Sequence, residues 1–280
     1  MNWFEKFLAA LDGRMTTPTL FGWFHIMWLL IIIGLTVTLC VFAFKNRGNM
    51  PKNYKLVKIV VLTYSILTIL LEVYKQLNYS FKVSTGEWSY QWYAFPFQFC
   101  STPMYVALIA GCLKDGSKFQ KWLYSYLATF SLFAGLAVMI YPGDVFISTI
   151  GINIQTMICH GGMVVMGVVI LASKVVDLNY KTVLRAIPVF ATLALIALIA
   201  NIIFHATGNT ATFNMFYISP YLPCTLPILN AIYPVVPYPV FLLIYLLGFS
   251  LAATVIFSFA FVGELIIKKC QNNKAKALVK

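Results

Sequence analysis

Long apolar runs separated by short polar connections dominate this chain. A helix needs about 20 mostly apolar residues to cross roughly 30 Å of hydrocarbon. Seven stretches meet or approach that length: 21–44, 56–74, 96–113, 122–141, 150–173, 186–206 and 236–262. The pattern predicts an all-α, polytopic membrane protein with seven transmembrane helices in one domain, 1–280, ending in a basic tail at 263–280. The third stretch is the shortest of the seven and opens at Pro96. No internal repeat or low-complexity tract divides the chain. The first apolar run is longer than a signal-peptide core and lacks a small-residue cleavage site, so it reads as a span.

Composition agrees. Hydrophobic residues make up 61% of the chain and charged residues 10%, against about 45–50% and about 25% in soluble domains. Nucleic-acid modules, cytosolic nucleotide enzymes and disulfide scaffolds are excluded, and the +12 formal charge is read by position. Sixteen of the twenty basic residues fall on one side, in the connections around Arg47, Lys118 and Lys181 and in the tail. Because cytoplasmic loops collect Lys and Arg, the N-terminus is expected outside and the tail in the cytoplasm of a multi-pass protein of the cell membrane.

Two outer connections stand out. Residues 75–95 carry Tyr79, Phe81, Trp88, Tyr90, Trp92 and Tyr93, rings suited to the headgroup level. Residues 207–235 are apolar but interrupted by Pro220, Pro223, Pro227 and Pro234, so a packed cap is favoured over a mobile lid.

Polar groups inside apolar spans are costly and mark a buried site or cavity. Here they cluster toward one end. His25 lies about 6 Å below the outer start of its span, Glu72 sits in the last outer turn of the second span, and Gln98 and Cys100 open the third. Asn153 and His160 share one face of the fifth span, and Asn201 and His205 share one face of the sixth. This distribution predicts one polar pocket open to the outer leaflet. His160, near mid-membrane, needs a partner or a cavity. Cys100 follows Pro96 at a helix N-terminus, where the dipole favours thiolate; by spacing alone it is also readable as an inert buried cysteine. A Cys100–Cys224 disulfide is conceivable on an oxidising face. No spacing suggests a metal site or a cofactor.

The segment Phe95-Pro96-Phe97-Gln98-Phe99-Cys100-Ser101 resembles the LPxxLC-type motif that opens the third span of YwaF-type bacterial integral membrane proteins. Cys159-His160-Gly161 resembles their histidine-glycine pair on helix five, and His25 has a counterpart on helix one. Asn214-Met215-Phe216, with the following proline-rich stretch through Pro237-Tyr238-Pro239, resembles their "NYMFL … PWPWY" pattern. That family is distantly similar to a eukaryotic transmembrane family of phospholipid acyltransferases. The resemblance implies that Cys100 accepts the acyl group, that His160 is the base, and that Gln98 orients the thiol or binds an oxyanion. Glu72 or Asn201 would have to supply a third member of the triad without motif support. The partners implied are membrane lipids, phospholipid or lysolipid, with no nucleic acid; no protein partner is suggested. A non-enzymatic structural or sensory seven-helix protein, or a small-molecule transporter, remains open beside this reading.

Overall fold

The computed structural model describes residues 2–143 and 145–278. Helix α1, Trp3–Leu11, is followed by α2, Trp23–Lys45, and α3, Met50–Ser80. A two-stranded hairpin, β1 Phe81–Lys82 with β2 Glu87–Trp88, leads to α4, Thr102–Cys112. Helices α5, Lys118–Tyr126, and α6, Leu132–Ile140, form one rod through a π-helical turn, Leu127–Ser131. Then come α7, Ile150–Ala172, α8, Tyr180–Ala206, the single turn α9, Leu229–Ile232, and α10, Tyr238–Leu278.

Six of these helices are long and apolar enough to cross a membrane: α2, α3, the α5–α6 rod, α7, α8 and α10. The third predicted stretch differs. Its helix begins at Thr102 and not at Pro96, and its 11 residues span only about 16 Å. Proline explains the start. Phe95, held extended before Pro96, is disfavoured for helix, and Pro103 sits in the first turn of α4, where its missing N–H costs nothing. The segment ahead of α4 nevertheless runs alongside α3. Gln76 donates to the Ala94 carbonyl at one end of α3, Ser65 donates to the Met104 carbonyl midway, and Lys58 pairs with Asp115 at the other end.

Several helices outrun their apolar cores. α3 reaches from Met50 to Ser80, and α10 continues as helix to Leu278, so the tail begins as an extension of the last helix. The side chains beyond Lys269, Cys270 among them, lie outside the described residues.

α7 is the central post, packed on α2, α3 and α6. Two glycines allow this closeness. A Cβ on Gly135 of α6 would meet the His160 carbonyl at 2.7 Å, and one on Gly162 would meet the Tyr64 ring of α3 at 2.6 Å. α2 and α10 are peripheral and expose rows of large apolar side chains such as Leu30, Ile33, Leu247 and Leu251. α1 lies against the C-terminal end of α3, where the Tyr74 hydroxyl donates to the Leu11 carbonyl.

Candidate functional site

Cys100 sits in residues 95–101, the non-helical lead into α4. This stretch is irregular backbone within an apolar body, tolerated only where protein covers it. The Gln98 carbonyl takes the N–H groups of Ser101 and Thr102 at 2.9 and 3.1 Å, and the Tyr105 hydroxyl donates to the Pro96 carbonyl at 3.1 Å. The Phe99 N–H has no hydrogen-bond partner among the described residues, and the Cys100 N–H faces its own thiol. Cys100 is half-buried, and its carbonyl accepts from the Cys159 thiol of α7 at 3.6 Å. Tyr64 and Tyr126 complete the surroundings. The Tyr64 hydroxyl is buried beside the Cys159 thiol without a conventional partner, while the Tyr126 hydroxyl meets Thr102 Oγ1 at 3.1 Å.

His160 Nδ1 donates to the Thr156 carbonyl at 2.8 Å, which leaves the lone pair on Nε2. Successive helical side chains diverge by about 100°, so with Cys159 aimed at Cys100 the imidazole turns toward the α6 side. Met163 and Val164, on that same side, pack at Gly135. No hydrogen bond joins His160 to the Cys100 thiol among the described residues.

The remaining polar residues are brought to backbone, not to one another. Asn201 clasps Met215 with both ends of its amide, accepting from its N–H at 2.8 Å and donating to its carbonyl at 3.0 Å. Gln98 does the same across Asn214 and Phe216, at 3.2 and 3.1 Å. Asn214 accepts from Ser219 N–H and donates to the Pro223 carbonyl. His205 faces the Phe213 carbonyl at 3.0 Å and the Asn209 carbonyl at 3.3 Å. Together they hold a strap, residues 213–219, in which Met215 and Phe216 are fully buried and Phe216 and Tyr217 adopt left-handed φ of 59° and 56°. That conformation costs a non-glycine residue about 1–3 kcal/mol and persists only where the surroundings impose it. Within the 207–235 connection, the 213–219 strap is thus packed, while Tyr221, Ile228 and Val235 are exposed.

His25 is likewise spent. Its Nδ1 accepts from Phe21 N–H at 3.0 Å, so Nε2 carries the proton and donates to the Met139 carbonyl at 2.9 Å. Asn153 accepts from Ile147 N–H and donates to the Ile147 carbonyl. Glu72 pairs with Lys75 at 2.8 Å and accepts from Gln76 at 2.7 Å. The expected common chamber is therefore corrected. The connections at this end are irregular, their buried N–H and C=O groups need partners, and the scarce hydrophilic side chains other than Glu72 serve them one by one. What lies open is a cleft of about 250 Å³ between α3 and α4, lined by Ile69, Glu72, Val73, Pro96, Met104 and Tyr105 among others, the last three from the segment that carries Cys100.

Sequence reasoning passed over one cluster at the opposite end. Glu264 of α10, 6% exposed, meets Arg47 at 3.1 Å and Lys174 at 2.6 Å, tying the ends of α2, α7 and α10. Its being the one acid in the basic 263–280 stretch was the available signal. Cys40, Cys100, Cys112, Cys159 and Cys224 are free thiols, so the Cys100–Cys224 bridge does not form.

A comparison with curated proteins gave no match, and neither did one with solved structures. Residues 20–261, from ahead of α2 to deep in α10, match the TMEM164 family. With its apolar helices and this match over most of its length, the chain is a multi-pass membrane protein and belongs to the TMEM164 family.

Proposed function

We propose that the chain crosses the cell membrane seven times, with its N-terminus outside and its tail cytoplasmic, and moves fatty acyl groups between lipids through Cys100. The topology draws support from the segment ahead of and including α4. It follows α3 from Gln76 to Lys58, 18 residues and about 27 Å of helix rise, close to a full hydrocarbon thickness. The orientation draws support from the collection of Arg47, Lys58, Lys118 and Lys174 at one end.

For the chemistry, the observation that carries the reading is the Phe99 N–H, without a hydrogen-bond partner among the described residues, next to a Cys100 N–H that faces its own thiol, so that two backbone donors sit at the sulfur. In this mechanism the Cys100 thiol loses its proton to His160 Nε2 through bridging water, since the Cys159 thiol lies against the Cys100 carbonyl and no hydrogen bond joins His160 to the Cys100 thiol among the described residues. The sulfur then attacks the ester carbonyl of a lipid. The carbonyl oxygen becomes an oxyanion that the two N–H groups stabilise. Collapse breaks the ester C–O bond, the departing lipid oxygen takes the proton from the imidazolium, and an acyl thioester remains on Cys100. A lysolipid hydroxyl attacks the thioester in the reverse sense and restores the thiol; water in its place makes the reaction hydrolysis. Gln98, with both amide ends engaged, holds the strap to the Cys100 segment and serves as a positioning residue.

The test is an ester lipid labelled in its acyl chain, incubated with the reconstituted protein. A hydroxylamine-sensitive acyl mass on the Cys100 peptide is expected, absent in Cys100→Ala and retained in Cys159→Ala. Full acyl turnover by Cys100→Ala refutes the assignment. A second reading, a non-enzymatic seven-helix protein, is favoured by the way the amides are consumed in bracing backbone, and it predicts no thioester at all.

A further inference from the structure

From the cleft between α3 and α4 we infer a binding site for one hydrocarbon chain of a membrane lipid, with the chain's carbonyl end delivered to Cys100. It rests on the acyl-transfer reading and names where that substrate lies. Four observations converge on the cleft. Pro96 and Met104, four residues before and four after Cys100, both line it, so Cys100 belongs to the loop that forms its wall. Its rim is lipid-facing: Val73 is 54% exposed, and Leu70, one turn away on the same helix, is 64% exposed. Its lining is apolar apart from Glu72, Gln76 and the Tyr105 hydroxyl, which is bonded to the Pro96 carbonyl. At Glu72 the cleft carries the buried Glu72–Lys75 ion pair, a polar landing for the ester and headgroup region of an amphiphile, while Ile69, Val73, Leu77 and Met104 give the rest of the lining apolar side chains.

A chain reaches such a site sideways from the bilayer and never through water. The strap, clamped by Asn201 and Gln98, closes the route over the end of the bundle, whereas nothing on the described chain covers the cleft between Val73 and Tyr105. The occupant is therefore set by chemistry as a single alkyl or acyl chain with a polar end.

Two maleimides separate this site from simple thiol exposure: a hexadecyl maleimide that partitions into the bilayer, and a small water-soluble one. Both are applied to the full chain in lipid vesicles, with labelling at Cys100 read by peptide mass spectrometry. Val73→Trp fills the cleft from its lipid side without touching the core. Each methylene excluded from an apolar site weakens occupancy roughly fourfold, so the long-chain rate relative to the short-chain rate is expected to fall by at least about tenfold. Ile66→Trp, on an exposed part of the same helix outside the cleft, is expected to leave the ratio unchanged. An unchanged ratio in Val73→Trp overturns the site, and so does failure of the long-chain reagent to label Cys100 in the unsubstituted protein. A ratio that falls as expected in a protein forming no acyl thioester keeps the chain site and removes the acyl-transfer reading, so the two failures are distinguishable.

Discussion

The two ends of the helical bundle are held by different chemistry. At the end bearing the histidines, apart from the Glu72–Lys75 ion pair, neutral side chains close onto backbone: His25 onto Met139, Asn153 onto Ile147, Asn201 onto Met215, and Gln98 onto Asn214 and Phe216. At the basic end, ionised side chains close onto each other: Arg47 and Lys174 onto Glu264, Lys58 onto Asp115, and Arg185 onto Asp177. The connections explain the contrast. Those at the basic end are short, and their helices stop near water. At the histidine end, 95–101 and 213–219 bring non-helical backbone into apolar surroundings, where each unpaired N–H or C=O must be satisfied. Amides supply a donor and an acceptor together. Polar side chains at that end are thus structural before they are chemical, and the Cys100 thiol, which meets only its own N–H and Ser101, stands out by bracing no second element.

The comparison breaks most severely at Asn201. Replacing it with Leu keeps the bulk but strands both backbone groups of Met215, a fully buried residue. At about 1–3 kcal/mol for each orphaned group, the loss is about 2–6 kcal/mol. It reads out as a lowered thermal midpoint in detergent, with faster hydrogen exchange confined first to 213–219. An unaltered midpoint would show that the strap is held by its phenylalanines alone.

Glu264→Ala is the matching lesion at the basic end. Arg47 and Lys174 lose a shared partner but, being 20% and 35% exposed, recover part of it from water, so the expected cost is about 1–3 kcal/mol. Arg47→Met placed on Glu264→Ala should restore some of it by removing a surplus cation. Additive losses in the double variant contradict the shared cluster.

A smaller effect, about 1–2 kcal/mol, is expected for Gln98→Leu: its partners on the strap are buried, but Gln98 itself is only half-buried, so water takes over part of its role. Its informative readout is labelling of Cys100 by the water-soluble maleimide. Loosening the strap from the Cys100 segment opens the end of the bundle, and the rate should rise; an unchanged rate separates strap from thiol.

These outcomes also mark what the sequence made legible. The six long helices follow from apolar runs because hydrocarbon admits no other backbone there, but their ends do not. Lys52 and Lys55 are helical in α3 and mark no boundary to an eye trained on hydropathy. The start of α4 at Thr102 was available in Pro96 and Pro103, and α1 in the capping pair of Asn2 with Glu5. Depth was readable for His25, Asn201 and His160, but partners were not. Asn201 bonds a residue 14 positions away and His25 one 114 positions away, and a hydropathy pattern places a group along the membrane normal without saying which way around the bundle it turns. Pooling the polar groups into one chamber was the error that this missing angle produced.

Lys58 and Asp115 test whether the basic end is held by charge in general or by one buried carboxylate. They pair at 2.8 Å, but with side chains 29% and 47% exposed, where an ion pair contributes about 0–1 kcal/mol. Lys58→Met should therefore shift the thermal midpoint far less than Glu264→Ala, and the difference from the unsubstituted protein should vanish in about 1 M salt, where screening acts over about 3 Å. The Glu264 cluster, enclosed by three helix ends, should keep most of its effect in the same salt. A loss at Lys58 as large as that at Glu264 would mean that the end of the short α4 is anchored by this pair and not by its packing on Val61 and Leu62 at Gly111, and burial would no longer separate the two.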